Sequence, residues 1–167
     1  MSISIFISRL AKLALALTLG GCVSLNFGGA KIIKSNEVKF KEPVKPFREV
    51  KTAAQDHTWR NELNGNTISY LSECNDPSDP SLEQIATGIT GEIDDAQKIE
   101  SSEVDFNSRP ALHSIVDGKV DGIATRFELM ILKKNSCIYV LTYAAVTSDF
   151  AASQKDFIAF AKGFQVP

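Results

Sequence analysis

His57 and His113 are the only histidines in a chain of 167 residues, and Cys22, Cys74 and Cys137 its only cysteines. A zinc site takes three or four His, Cys or carboxylate ligands backed by hydrogen-bonded partners, and two isolated imidazoles do not offer that set. Asp56 could orient the neighbouring His57 ring for a serine nucleophile, yet the chain has no Gly-x-Ser-x-Gly elbow. Carboxylates recur close together as Asp76 and Asp79, Asp94 and Asp95, Glu100 and Glu103, and Asp117 and Asp121. Oxygen-rich groups of this kind suit calcium, but the spacing of an EF-hand loop is missing. Paired carboxylates also serve glycosidases, where the distance between them decides the chemistry. A helix start for Asp76 to Asp79 and turns for Asp117 and Asp121 explain these residues more simply. No phosphate loop or dinucleotide fingerprint occurs. The residue patterns predict no enzyme, no cofactor and no metal.

The N-terminus carries an address instead. Arg9 and Lys12 precede the uncharged run Leu13 to Leu19, which ends in Gly20 and Gly21. A positive region, a short apolar core and small residues are the layout of a secretory signal. A helical span needs about 20 mainly apolar residues, and the basic pair interrupts any such stretch.

Leu19-Gly20-Gly21-Cys22 resembles the lipobox of bacterial lipoproteins. The resemblance implies a signal peptide over residues 1–21, cleavage before Cys22, and a diacylglyceryl group on its thiol with a further acyl chain on its new amine. Two or more acyl chains hold a protein stably on a bilayer. Val23 stands where inner-membrane lipoproteins of enterobacteria carry Asp. By that family rule the outer membrane is favoured in an organism that has one. Cys74 and Cys137 then form an even pair in an oxidising compartment, read as a disulfide, with two buried free thiols as the alternative.

A pI near 5.7 and a formal charge of −2 give no case for nucleic-acid binding. The charge is uneven, however. Residues 31–51 carry seven basic against three acidic side chains, net +4, whereas residues 52–167 carry nine against seventeen, net −8. Pro43 and Pro46 favour extended backbone there. Residues 22–51 are therefore expected to form a lipidated, basic tether near anionic headgroups, with Val38, Phe40, Val44 and Phe47 able to pack on the domain. A single domain is expected over 52–167.

Within that domain, Asn64-Gly65-Asn66 predicts a tight hairpin between Trp59–Leu63 and Thr67–Ser72. Leu82, Ile85, Ala86 and Ile89 follow helical spacing, with Asp79 before Pro80, or Ser81 with Gln84, as the cap and an end near Ile93. Ile99–Phe106, Ala111–Val116, Val120–Leu132 and Cys137–Val146 read as strands, with turns at Asp117-Gly118 and Lys134-Asn135. The last strand is apolar on both faces and needs cover on both. A C-terminal helix with Phe157, Phe160, Ala161 and Phe164 on one side supplies part of it. The expectation is an α+β fold with an antiparallel sheet packed between helices, an α/β/α sandwich.

Trp59 with Gly65-Asn66-Thr67-Ile68-Ser69-Tyr70, Cys74-Asn75-Asp76, Ser136-Cys137-Ile138-Tyr139 and the Gly-Phe-Gln-Val-Pro end resemble small bacterial lipoproteins. In layout the chain is similar to PsbP-type proteins over residues 52–167. That resemblance implies a domain which assembles or stabilises other proteins. The leading expectation is a membrane-anchored envelope adaptor that binds an unidentified envelope protein through strand edges or its acidic face. A lipid- or small-molecule-binding accessory protein of an envelope transporter is the second reading, with a cavity lined by Ile85, Ile89, Phe157 and Phe160. A hydrolase using His57 or His113 is the third.

Overall fold

The computed structural model describes residues 33–167. The signal-like segment, the lipobox and Cys22 lie outside the described residues. The elements run β1 (Phe47–Val50), β2 (His57–Asn61), β3 (Thr67–Cys74), α1 (Leu82–Thr90), β4 (Asp94–Phe106), β5 (Arg109–Val120), β6 (Ile123–Lys134), β7 (Cys137–Val146), a 3-10 turn (Thr147–Asp149) and α2 (Phe150–Gly163). The strands form one antiparallel sheet in the order β1-β2-β3-β7-β6-β5-β4. The fold is α+β and mostly sheet, as expected in class; α2 covers one face, while α1 covers only part of the other.

The larger core lies under α2. Trp59, Ile68, Tyr70, Leu132, Tyr139, Leu141 and Tyr143 from the sheet meet Phe150, Phe157, Phe160 and Phe164. Alternate residues of β7 make the second core: Val140 packs with Leu112, Leu129 and Ile131 beneath Leu82, Ile85, Ala86 and Ile89 of α1. Sheet residues alternate in direction at every step, so a strand without a polar side forces both layers.

Turn chemistry sets the register of the right half. The β4–β5, β5–β6 and β6–β7 hairpins turn on Asn107–Ser108, Asp121–Gly122 and Asn135–Ser136, and all six residues have positive φ, between 51° and 79°. Two-residue hairpins require that conformation, which Asn, Asp and Gly tolerate best. The turn expected at Asp117-Gly118 is thus at Asp121–Gly122, and β5 passes through the earlier pair. Arg126 of β6 grips Asp117 across the strands, and Ile93 lies directly over Gly118, where a Cβ would collide with its Cγ2. The final turn is one residue later than expected.

Helix α1 takes the second of its two possible caps. Gln84 N–H donates to Ser81 Oγ at 3.2 Å, and Ser81 N–H donates to Gln84 Oε1 at 2.8 Å. Asp79 instead pairs with Lys133 of β6, and the helix stops at Thr90 rather than Ile93. Helix α2 has no side-chain cap. Its start is held from the β2–β3 turn, where the buried Asn66 amide donates to Asp149 O (3.2 Å) and to Tyr143 Oη (3.0 Å). Tyr143 in turn donates to Phe150 O at 2.7 Å.

The tether boundary at residue 51 is corrected. Phe47 opens the edge strand β1 and is 6% exposed. Phe40 inserts its ring among Tyr70, Trp59, Phe160 and Phe164 at 5.2–6.3 Å. Ile33 pairs with Cys74 and Lys39 with Gln165. Burying such an aromatic outweighs the solvation of the surrounding lysines, so the domain takes in residues from 33 onward.

Cys74 and Cys137 are joined as a disulfide between directly opposed positions of β3 and β7. Their sequence separation of 63 makes the closed loop worth about 4 kcal/mol in the chain-entropy model. Replacing both by Ser lowers the unfolding free energy by roughly that amount in urea titration. Gly118→Ala costs about 1–3 kcal/mol by the same measurement, since the new methyl must displace Ile93.

Candidate interaction surface

The two histidines lie apart and each is committed to a carboxylate. His57 Nδ1 meets Glu49 Oε1 at 2.6 Å, with its ring stacked on Trp59 and Tyr70. Asp56, expected as a possible partner of His57, instead accepts from the N–H and hydroxyl of Ser72 and pairs with Lys34. His113 Nε2 of β5 meets Glu128 Oε1 of β6 at 2.9 Å, and Glu128 Oε2 accepts from Gln154 of α2, also at 2.9 Å. Glu128 is 4% exposed. The arrangement ties two strands to the helix above them, and among the described residues neither imidazole has a hydroxyl partner.

The carboxylates that looked paired in sequence are separated by the sheet. Glu100 and Glu103 lie three residues apart in one strand and face opposite sides, opposite Ile115 and Leu112 respectively. Asp117 is held by Arg126 at 2.6 and 2.7 Å, a two-pronged contact that keeps its carboxyl below the usual range and raises the guanidinium. The same guanidinium lies over the Phe150 ring at 5.5 Å. Asp95 pairs with Lys119, and Asp76 accepts from Ser78. Among the described residues no three His, Cys, Asp or Glu side chains converge as a metal site.

The proposed cavity of Ile85, Ile89, Phe157 and Phe160 is also corrected. Ile85 and Ile89 pack on Ile131, whereas Phe157 and Phe160 belong to the core that includes Leu132. Ile131 and Leu132 are consecutive in β6 and point through opposite faces, so the sheet itself stands between the two pairs. Phe157 and Phe160 are 1% and 2% exposed and are plain core.

What remains open is the β4 side. This edge strand has 13 residues, ten of them exposed in succession from Asp94 to Glu103. Asp94, Asp95, Glu100, Glu103 and Asp105 against Lys98 leave it at net −4. Its ladder with β5 is irregular up to Glu100 and regular from there to Phe106. The opposite edge, β1, has four residues. Beside β4, on the α1 face, lies a cleft of about 200 Å³. Ala86, Leu112 and Val116 give it apolar walls, and Glu83 and Lys98 border it. On its floor Ser101 Oγ and Ser114 Oγ are 3.0 Å apart. The expectation of strand edges and an acidic face anticipated the edge. The cleft was not foreseen, because Ser101 and Ser114 carry no motif and meet only through the β4–β5 register, and Thr87 of α1 joins them only once the helix packs on the sheet.

No family model matches the chain, nor does any curated protein. Solved structures do share its architecture. A cyanobacterial PsbP from Synechocystis matches with a TM-score of 0.56 at 12% identity, over 89% of this chain and 99% of that one. LpqN of Mycobacterium tuberculosis, described as involved in cell envelope biogenesis, matches with a TM-score of 0.56 at 9% identity, over 83% and 86%. A Pseudomonas aeruginosa protein of unknown function matches with a TM-score of 0.52 at 8% identity, over 84% and 87%. The fold is therefore PsbP-like, and at these identities the likeness concerns the fold alone.

The His113–Glu128 contact generates a pH dependence. The hydrogen bond to Glu128 raises the His113 pKa, against the opposing effect of burial. A raised imidazole pKa stabilises the fold fully below the unfolded value near 6.5, and the contribution disappears as pH rises through the folded value. The His113 ring protons should titrate above 6.5 by NMR, and unfolding free energy should fall over that window. In Glu128→Gln the His113 component of that fall is lost.

Proposed function

We propose that the chain is a cell-envelope lipoprotein, anchored through acylated Cys22, that acts without catalysis as a docking adaptor for another envelope protein. In an organism with an outer membrane, that membrane is the favoured site. The observation that carries the docking role is the long, acidic, solvent-exposed edge strand β4. Natural sheets usually shorten or cover such edges, since an unpaired strand invites another. The signal-like segment and lipobox support the anchor, and the involvement of the structurally similar LpqN in cell envelope biogenesis supports an envelope location.

The polarity of the domain fits this reading. Ile33, the first described residue, pairs with Cys74 at one end of the sheet, and the Asp121–Gly122 turn lies at the other. The chain between Cys22 and Ile33 spans at most about 40 Å when fully extended. An anchor at Cys22 would thus join the domain at its Cys74 end, on a leash long enough to keep β4 accessible from the aqueous side.

Two measurements test the proposal. Cys22→Ala should abolish incorporation of labelled palmitate and move the protein from the membrane to the soluble fraction. A photo-crosslinking amino acid at Ser102 in cells should yield a discrete adduct with one envelope protein, while the same probe at Arg48 on the β1 edge should not. Equal, diffuse adducts from both edges would remove β4 from the proposal.

A further inference from the structure

We infer that β4 receives a basic, extended polypeptide segment as an eighth strand, and that one lysine or arginine of that segment lies in the cleft beside α1. The inference rests on the adaptor reading and names the chemistry of the partner.

Charge selects the occupant. Two copies of this chain meeting edge to edge would set one net −4 strand against another, and like charges directly opposed across strands are destabilising. The charge that blocks self-pairing attracts a cationic strand. Among the described residues Glu100, Glu103 and Asp105 make no ion pair within the chain. The regular stretch from Glu100 to Phe106 offers a continuous backbone template for a partner's main chain.

The cleft supplies the side-chain preference. A strand added about 4.8 Å outside β4 directs every second side chain towards the α1 face. From there a long side chain passes over Ser101 to reach a space of about 200 Å³. Ala86, Leu112 and Val116 suit an aliphatic stem, the Ser101 and Ser114 hydroxyls accept from an ammonium or guanidinium, and Glu83 provides the countercharge. This combination matches the flexible stem and cationic head of Lys, or the fork of Arg. Lys98 also borders the cleft. Its ammonium competes with the incoming cation, so removing it strengthens binding.

The test uses the full chain and two capped peptides of equal length and charge, one alternating Lys and Thr, the other alternating Lys and Pro. Proline has no N–H to donate to a ladder. The Lys-Thr peptide should bind and slow hydrogen exchange at alternate amides between Glu100 and Phe106, while the Lys-Pro peptide should leave them unchanged. Glu83→Gln should weaken the Lys-Thr peptide about two- to fivefold, the size of one partly exposed ion pair. Lys98→Ala should tighten it, with both variants retaining the parent melting temperature. Equal binding of the two peptides, no protection in β4, or indifference to both substitutions would overturn the inference. The adaptor reading fails separately: exchange protection in vitro with no β4 adduct in cells leaves the peptide site and removes the cellular role.

Discussion

The central strand β7 is apolar on both sides, and its burial organises the molecule. Ile138 and Val140 on one face, and Tyr139, Leu141 and Tyr143 on the other, all require cover. A sheet with one wet face would leave two or three of these five in water. The two faces are nonetheless covered unequally. The aromatic side is sealed by α2 and by Phe40 from the N-terminal segment. The aliphatic side has only the nine residues of α1, none of them fully buried. That economy leaves the cleft between α1 and β5 and leaves β4 without a layer of its own.

The same asymmetry separates parts of the molecule that hold it together from parts free to bind. Ionisable groups under or beside α2 are taken up internally: Glu128 by His113 and Gln154, Asp117 by Arg126. Each tie links neighbouring strands, or a strand to the helix, and leaves few valences for chemistry. On β4, Glu100 and Glu103 keep solvated carboxylates. Charge buried in pairs stabilises a particular packing, whereas charge spread along an edge acts through its field on whatever approaches.

How much of this could be read from the residues depended on whether the cause was local. The Ser81–Gln84 box, the Asn-Gly hairpin and the aromatic stripe of α2 are written within a few residues, and each appears close to where it was expected. The cysteine count left two readings of Cys74 and Cys137 open, a disulfide or two buried thiols, and the opposed positions on β3 and β7 give the disulfide. Asp117-Gly118 misled because a turn-forming dipeptide can sit inside a strand when a distant side chain, here Ile93, needs the space a glycine leaves. The tether boundary failed for a related reason. Prolines and lysines between residues 31 and 51 look solvated, and although Phe40 was expected to be able to pack on the domain, only the assembled aromatic core shows that it moves the boundary. Face assignment was the largest gap: Ile85 and Phe157 are both helical and apolar, but the sheet they flank has to exist before their opposite sides are apparent.

The joining of Ile33 to Cys74 and of Lys39 to Gln165 has a mechanical consequence. Tension applied to the chain upstream of Ile33 reaches the domain first at a residue paired with one half of the disulfide. From Cys74 the load passes through a covalent bond into β7, the strand buried in the middle of the sheet. The Lys39–Gln165 pairing then fastens the same segment to the C-terminal end beyond α2. Force on the N-terminal side therefore meets these two pairings before it reaches the short edge strand β1.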